Sequence, residues 1–244
     1  MLNICLEIAQ VNYQKCVEVL LPQLVEHCAA KETPNELDKF LAKLGPDAAP
    51  AACALLDDMS VDAKDKMVVW LVSAHEERMR NSANRHLTAL LGAPIIRIGH
   101  FLAIDRPGSR LTLLAAQVDI DYSALLQSPL VEDGIDQLGG ENSILKSAAK
   151  LALQMGRRMS GENLEKQGLL LLNSAKVKNK LMEALQEAVR QAGLDVTLED
   201  MSVERSGAIL LPEQLSKDEG LLPDTFEEEL LDALAQRVRA MRKL

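Results

Sequence analysis

The chain has 244 residues, 48% of them hydrophobic and 26% charged, enough for a sizeable core and too apolar for a disordered segment. Its net charge of −9 argues against nucleic acid as a main partner, because phosphate binding needs a cationic footprint. Aromatic residues make up only 2%, so the core must be filled by Leu, Ala, Val, Ile and Met, which suit helix-on-helix packing.

The formal charge is −4 over residues 1–92, zero over 93–160 and −5 over 161–244, so no segment is basic. Met1–Leu6 carries no basic residue and Glu7 interrupts the apolar stretch, unlike a secretory signal. A cytoplasmic location is therefore expected, with Cys5, Cys16, Cys28 and Cys53 as reduced thiols. No apolar run approaches the ~18 residues of a membrane span.

Residues 3–30 read as one long helix, with Ile4, Ile8, Val11, Val19 and Leu20 at helical spacings and Pro22 kinking or dividing it. Thr33-Pro34-Asn35-Glu36 is a helix start with a capping hydroxyl, a proline at the first position and an acid in the first turn. That helix should end near Gly45-Pro46, and Ala48–Met59 form another. Ser60-Val61-Asp62 opens the longest helix, running to about Leu91 and stopped by Gly92 and Pro94.

The pattern changes at Pro94. Ile95–Ile104 and Leu111–Ile120 flank Asp105-Arg106-Pro107-Gly108-Ser109-Arg110, the signature of a β-hairpin; helix is the alternative for Ile95–Ala103. A helix with a break at Ser128-Pro129 is expected over Asp121–Leu138. After a loop at Gly139-Gly140, Asn142 or Ser143 should cap a helix through Met159.

Gly161 begins a looser stretch and Gly168–Leu172 is a strand candidate. Ala175–Ala192 is a strong amphipathic helix closed by Gly193. Leu194–Glu204 alternates like a half-buried strand, Ala208–Leu211 is a second strand, and Pro212–Pro223 is a loop. Asp224 or Thr225 caps a last helix to Lys243, with Glu227, Glu228 and Glu229 in its first turn and basic residues in its last, complementing the helix dipole. The expected fold is α+β and predominantly helical. It comprises an amino-terminal helical bundle (1–92), a β-hairpin plus helices packed on it (93–160), and a small strand-helix-strand-strand-helix module (161–244).

The carboxy-terminal element order is similar to the globular end of peripheral-stalk subunits of rotary ATPases. No motif accompanies that order, and Pro22, Pro34, Pro46, Pro50, Pro94 and Pro129 forbid the coiled coil that precedes the domain in such subunits; no family is assigned.

Cys5, Cys16 and His27 fall eleven residues apart, one face of a helix, but at ~16 Å intervals no single zinc can reach them all. His75-Glu76-Glu77-Arg78-Met79 begins like a zinc-protease helix, yet Met79 stands where the second histidine is required. His75 and His86 share a helical face, and Arg78, Arg80 and Arg85 punctuate the same stretch. These five are the candidate contacts for a ligand or an acidic partner. Glu76 and Arg80 also form an i,i+4 pair, as on a solvated helix face. Nucleophile elbows, phosphate loops and dinucleotide fingerprints are missing, so no cofactor, metal or catalytic residue is assigned.

The leading functional expectation is a non-enzymatic interaction or adaptor protein that binds a protein partner or self-associates. The runner-up is a small-molecule-binding protein with an apolar pocket between bundle and hairpin. An enzyme using His75, His86 or His100 is the third. Two histidines gathered with a carboxylate or thiol around one solvent-reachable hollow would displace the adaptor reading.

Overall fold

The computed structural model describes residues 2–104, 111–128, 130, 161–205 and 226–243. Strand β1 spans Leu2–Val11, and helices α1 (Tyr13–Ala30), α2 (Glu36–Leu44), α3 (Ala48–Leu56), α4 (Val61–Ala74) and α5 (Glu76–Leu91) follow it. Next come strands β2 (Ile96–Arg97), β3 (His100–Ile104) and β4 (Thr112–Ile120) and the short helix α6 (Tyr122–Leu126). Helices α7 (Gly161–Leu172) and α8 (Ala175–Gln191), strand β5 (Val196–Arg205) and helix α9 (Phe226–Met241) complete the order. The fold is predominantly helical α+β around one five-stranded antiparallel sheet.

The expected helix over residues 3–30 therefore begins ten residues late. Ile4 and Ile8 are four apart, a spacing that a helix and a strand both satisfy. Leu2 and Leu6 complete an alternation in which Leu2, Ile4, Leu6 and Ile8 are buried while Asn3, Cys5 and Glu7 are less so, and this period of two decides for strand. Asn12 then starts α1: its side chain accepts from Lys15 N at 3.2 Å and its Nδ2 donates to Asp195 Oδ2 at 3.1 Å. Helix α1 is not divided at Pro22; the buried stripe of Val17, Leu20, Leu21, Leu24 and Val25 outweighs the one backbone bond that proline removes.

Helix α2 is capped by Asn35 in a reciprocal box with Asp38, two residues after Thr33. The single helix expected over 60–91 is two helices. His75, with φ −112° and ψ 18°, ends α4 and precedes α5, and both side chains at this junction are engaged elsewhere. His75 Nε2–H donates to the Leu20 carbonyl of α1 at 2.9 Å, and Glu76 Oε1 accepts from Phe101 N of β3 at 3.1 Å.

The sheet order is β2-β4-β1-β5, with β3 also on β4. The expected hairpin is present as β3 and β4, from His100 opposite Ala116 to Ile104 opposite Thr112. Strand β1 lies centrally, Ile4 facing Ala115 on one side and Val203 on the other. One face of the sheet and the helices share a continuous core that draws Leu6, Leu20, Leu71, Leu87, Phe101, Leu113, Leu185 and Met201 from along the whole chain. On the other face Leu102, Ile104, Leu114 and Ala116 cluster beside Cys5.

In the last third, Gly161–Leu172 is helix, correcting both the looser stretch and the strand expected at Gly168–Leu172. A run of four leucines fits a buried strand or a helix equally. Gly168 lies against the Tyr122 ring, where a Cβ would stand 2.1 Å from Cδ1, so any larger residue would have to displace the ring. Gly193 closes α8 at φ +106°, as expected. Side-chain amides meet the backbone of β5: Gln186 of α8 accepts from Leu198 N at 2.7 Å and donates to the Val196 carbonyl. Asn173 pairs with Val203 in the same manner at 3.3 and 3.5 Å.

The turn at Asp105–Arg110, the helices expected beyond Ser128 and through Met159, the strand at Ala208–Leu211, the loop Pro212–Pro223 and the caps Asp224 and Thr225 lie outside the described residues. Among the described residues no helix is long and apolar enough to cross a membrane.

Candidate functional site

Helices α1 and α5, with the end of α4, enclose an open cleft of about 520 Å3. Gln23, Leu24 and His27 line it from α1, Ala74 and His75 from the α4–α5 junction, and Glu77, Arg78, Asn81 and Arg85 from α5. The helical period explains the grouping. Arg78, Asn81 and Arg85 stand at i, i+3 and i+7, and Gln23 and His27 at i and i+4, so each set forms one stripe.

Burial holds the His75 imidazole below its ordinary pKa, and the charges of Arg78 and His27 push the same way against the opposing bond to the Leu20 carbonyl. The neutral ring is therefore favoured. Arg78 Nη1 donates to Gln23 Oε1 across the cleft. Neither Arg78 nor Arg85 has a carboxylate partner among the described residues.

Of the five residues singled out by sequence, His75, Arg78 and Arg85 meet at this cleft. Arg80 turns to Glu76 at 3.4 Å and to the Gly99 carbonyl at 3.2 Å, tying α5 to β3. His86 Nδ1–H donates to the Ser82 carbonyl of its own helix at 2.9 Å. His100 lies 3.6 Å from Glu76 Oε1, on the β3 side. His27 is among the lining residues that the sequence did not select as a contact, because only the tertiary fold sets α1 opposite α5.

The cleft thus gathers His27, His75 and Glu77 around one solvent-reachable hollow, the arrangement set out above as adverse to a plain adaptor. No hydrogen bond joins these three among the described residues, and the lining carries no hydroxyl or thiol. Cys5 sits on β1 and Cys16 on α1, so the row of three with His27 does not form on one helix. Among the described residues no three His, Cys, Asp or Glu side chains gather as metal ligands.

A second cleft of about 560 Å3 opens where the end of β1 and the start of β5 meet α1, α3 and α4. Asn12, Tyr13, Gln14, Cys53, Asp57, Lys64, Asp195 and Thr197 are among its lining residues. Beside it the Tyr13 hydroxyl donates to Asp65 Oδ1 at 2.6 Å, and burial raises the Asp65 pKa. No family model, curated protein or solved structure matches the chain.

Proposed function

We propose that this chain is a non-enzymatic interaction protein that holds its partner in the cleft between α1 and α5. One observation carries the reading: in a chain of net charge −9, Arg78 and Arg85 line one concavity beside His27 and His75, and neither forms an ion pair among the described residues. Arginines so placed donate charge-assisted hydrogen bonds to an incoming anion, and a concave wall focuses their field. A protein partner or a second copy of the chain supplies such groups. None of the four cysteines is joined in a disulfide, in keeping with the accompanying proposal of a cytoplasmic location.

The test is a photo-crosslinking amino acid placed at Asn81 in the full chain inside cells. It should capture a discrete partner, and the double variant Arg78→Glu/Arg85→Glu should abolish the capture. Capture of the same set from an exposed position far from the cleft, such as Lys39, would overturn the reading.

A second reading, an acid–base enzyme, is favoured by the meeting of His27, His75 and Glu77. It requires one histidine to abstract or deliver a proton at a bound substrate, and in that case His27→Gln abolishes turnover without weakening partner capture. A small-molecule-binding protein with an apolar pocket between bundle and hairpin is the other alternative.

A further inference from the structure

Arg78 and Arg85 are seven residues apart on α5, so their Cα atoms stand ~10 Å apart along one face of the helix. Their heads are not interchangeable. Arg78 is drawn toward α1 by its hydrogen bond to Gln23, whereas Arg85 has no partner among the described residues. A single small anion would have to pull Arg78 off Gln23 to be shared by both. Two separate carboxylates at matching spacing would leave it in place. The cleft is also open, with His27, Glu77, Arg78, Asn81 and Arg85 all exposed, which suits a segment laid along α5 better than an enclosed metabolite.

We infer that the occupant of this cleft is an acidic protein segment presenting two carboxylates ~10 Å apart, the spacing of Glu or Asp at i and i+7 on a helix. The inference rests on the cleft reading given above and adds the partner's chemistry. One carboxylate pairs with Arg78 and the other with Arg85, while Asn81 lies between them as a neutral amide able to donate to either. Glu77 at the rim disfavours a third acid beside Arg78, which fixes the direction in which the segment lies.

The experiment titrates the full chain with stapled helical peptides carrying Glu at i and i+7, at one of these positions only, or at neither, and with inorganic phosphate. Arginine Nε–H and histidine ring signals are followed by NMR so that weak binding is visible. The two-acid peptide should shift the Arg78 and Arg85 signals together and bind about fivefold tighter than either one-acid peptide. Arg78→Gln and Arg85→Gln should each reduce it to the one-acid level. Equal affinity of one- and two-acid peptides, or tighter binding of inorganic phosphate, overturns the inference. If no peptide moves the cleft signals while the Asn81 crosslink and its loss in Arg78→Glu/Arg85→Glu persist, the partner chemistry is wrong and the cleft reading stands; if the crosslink also fails, both fall.

Discussion

Asn84 closes both hydrogen-bonding groups of Ile98: its Oδ1 accepts from the Ile98 N–H at 2.7 Å and its Nδ2 donates to the Ile98 carbonyl at 3.0 Å. Ile98 lies between β2 and β3 and is buried at 3% exposure, so neither group has water to turn to. The amide of α5 takes the place of a neighbouring strand. Asn84→Leu removes both partners and should cost about 1–3 kcal/mol, read as a lower urea midpoint at unchanged slope. Asn84→Asp keeps the acceptor and loses the donor, and should fall between. A wild-type midpoint for Asn84→Leu would show that Ile98 finds other partners.

Asp38 gives the protein an acid-sensitive point. Lys31 Nζ lies 2.7 Å from its carboxylate and Asn35 N donates to it at 3.0 Å. The lysine bond first, then the cap, hold the carboxyl at about 2, against 3.8 for a free aspartate. The unfolded chain therefore takes up this proton before the folded one does. The contribution is complete above about pH 4 and is lost as pH falls toward 2. Asp38→Asn should flatten that part of the stability–pH curve while leaving neutral pH less affected. An unchanged acid limb would assign the sensitivity to other carboxylates. Asn35→Ala removes the cap itself and should cost about 1 kcal/mol at any pH.

His75 acts at milder pH with the same sign. Its folded pKa is depressed, chiefly by burial, from an ordinary 6.5. Below that value the unfolded chain binds the proton more readily, so stability present at pH 7.5 declines as pH falls through the folded pKa. His75→Asn should be destabilised at pH 7.5 but lose less on going to pH 5.5 than the wild type does. Parallel curves for the two proteins would remove His75 as the cause.

Thiol chemistry should divide the cysteines. Burial pushes the Cys16 thiol to about 11, although its hydrogen bond to the Asp195 carbonyl opposes this. Burial, then the bond to Asp38, raises Cys28 to about 11 as well. Thiolate is the reacting form, so neither should be alkylated at pH 8 in the folded protein, and both should react after unfolding. Cys53 is also raised by burial but is only half-buried, and should label ahead of them. Rapid native labelling of Cys16 would mean that the β1–α1 junction opens on its own.

The pattern of the sequence carried the elements whose ends are marked by local chemistry. A start of α2 is legible at Thr33-Pro34-Asn35-Glu36, though Asn35 and not Thr33 is the cap; Gly92 ends α5 at φ +74°, Gly193 ends α8, and the acids at Glu227–Glu229 open α9. The alternation of Leu194–Glu204 yields β5, and the apolar runs around Asp105–Arg110 yield β3 and β4. Illegible were the places where two periods fit the same residues. Ile4 and Ile8 suit helix or strand, and Leu169–Leu172 suit either. The break at His75 has no proline or glycine to announce it, because a bond to Leu20 on another helix marks the junction. The cleft was half legible for the same reason: the stripe of Arg78 and Arg85 is a property of one helix, while the addition of His27 depends on which helix packs opposite.

The central position of β1 bears on how the protein folds. Helices α2, α3 and α4 each touch α1 and lie close to it in sequence, so these four can assemble early, whereas α5 packs chiefly on α8, far along the chain. Residue 4 must wait for residues 115 and 203, so closing the sheet carries the loop entropy of more than a hundred intervening residues on one side and nearly twice that on the other. Until both neighbours arrive, the alternating apolar face of Leu2, Ile4, Leu6 and Ile8 is an open template for any other strand. Refolding at high concentration is where that vulnerability surfaces, as a competition between closing its own sheet and joining another chain's.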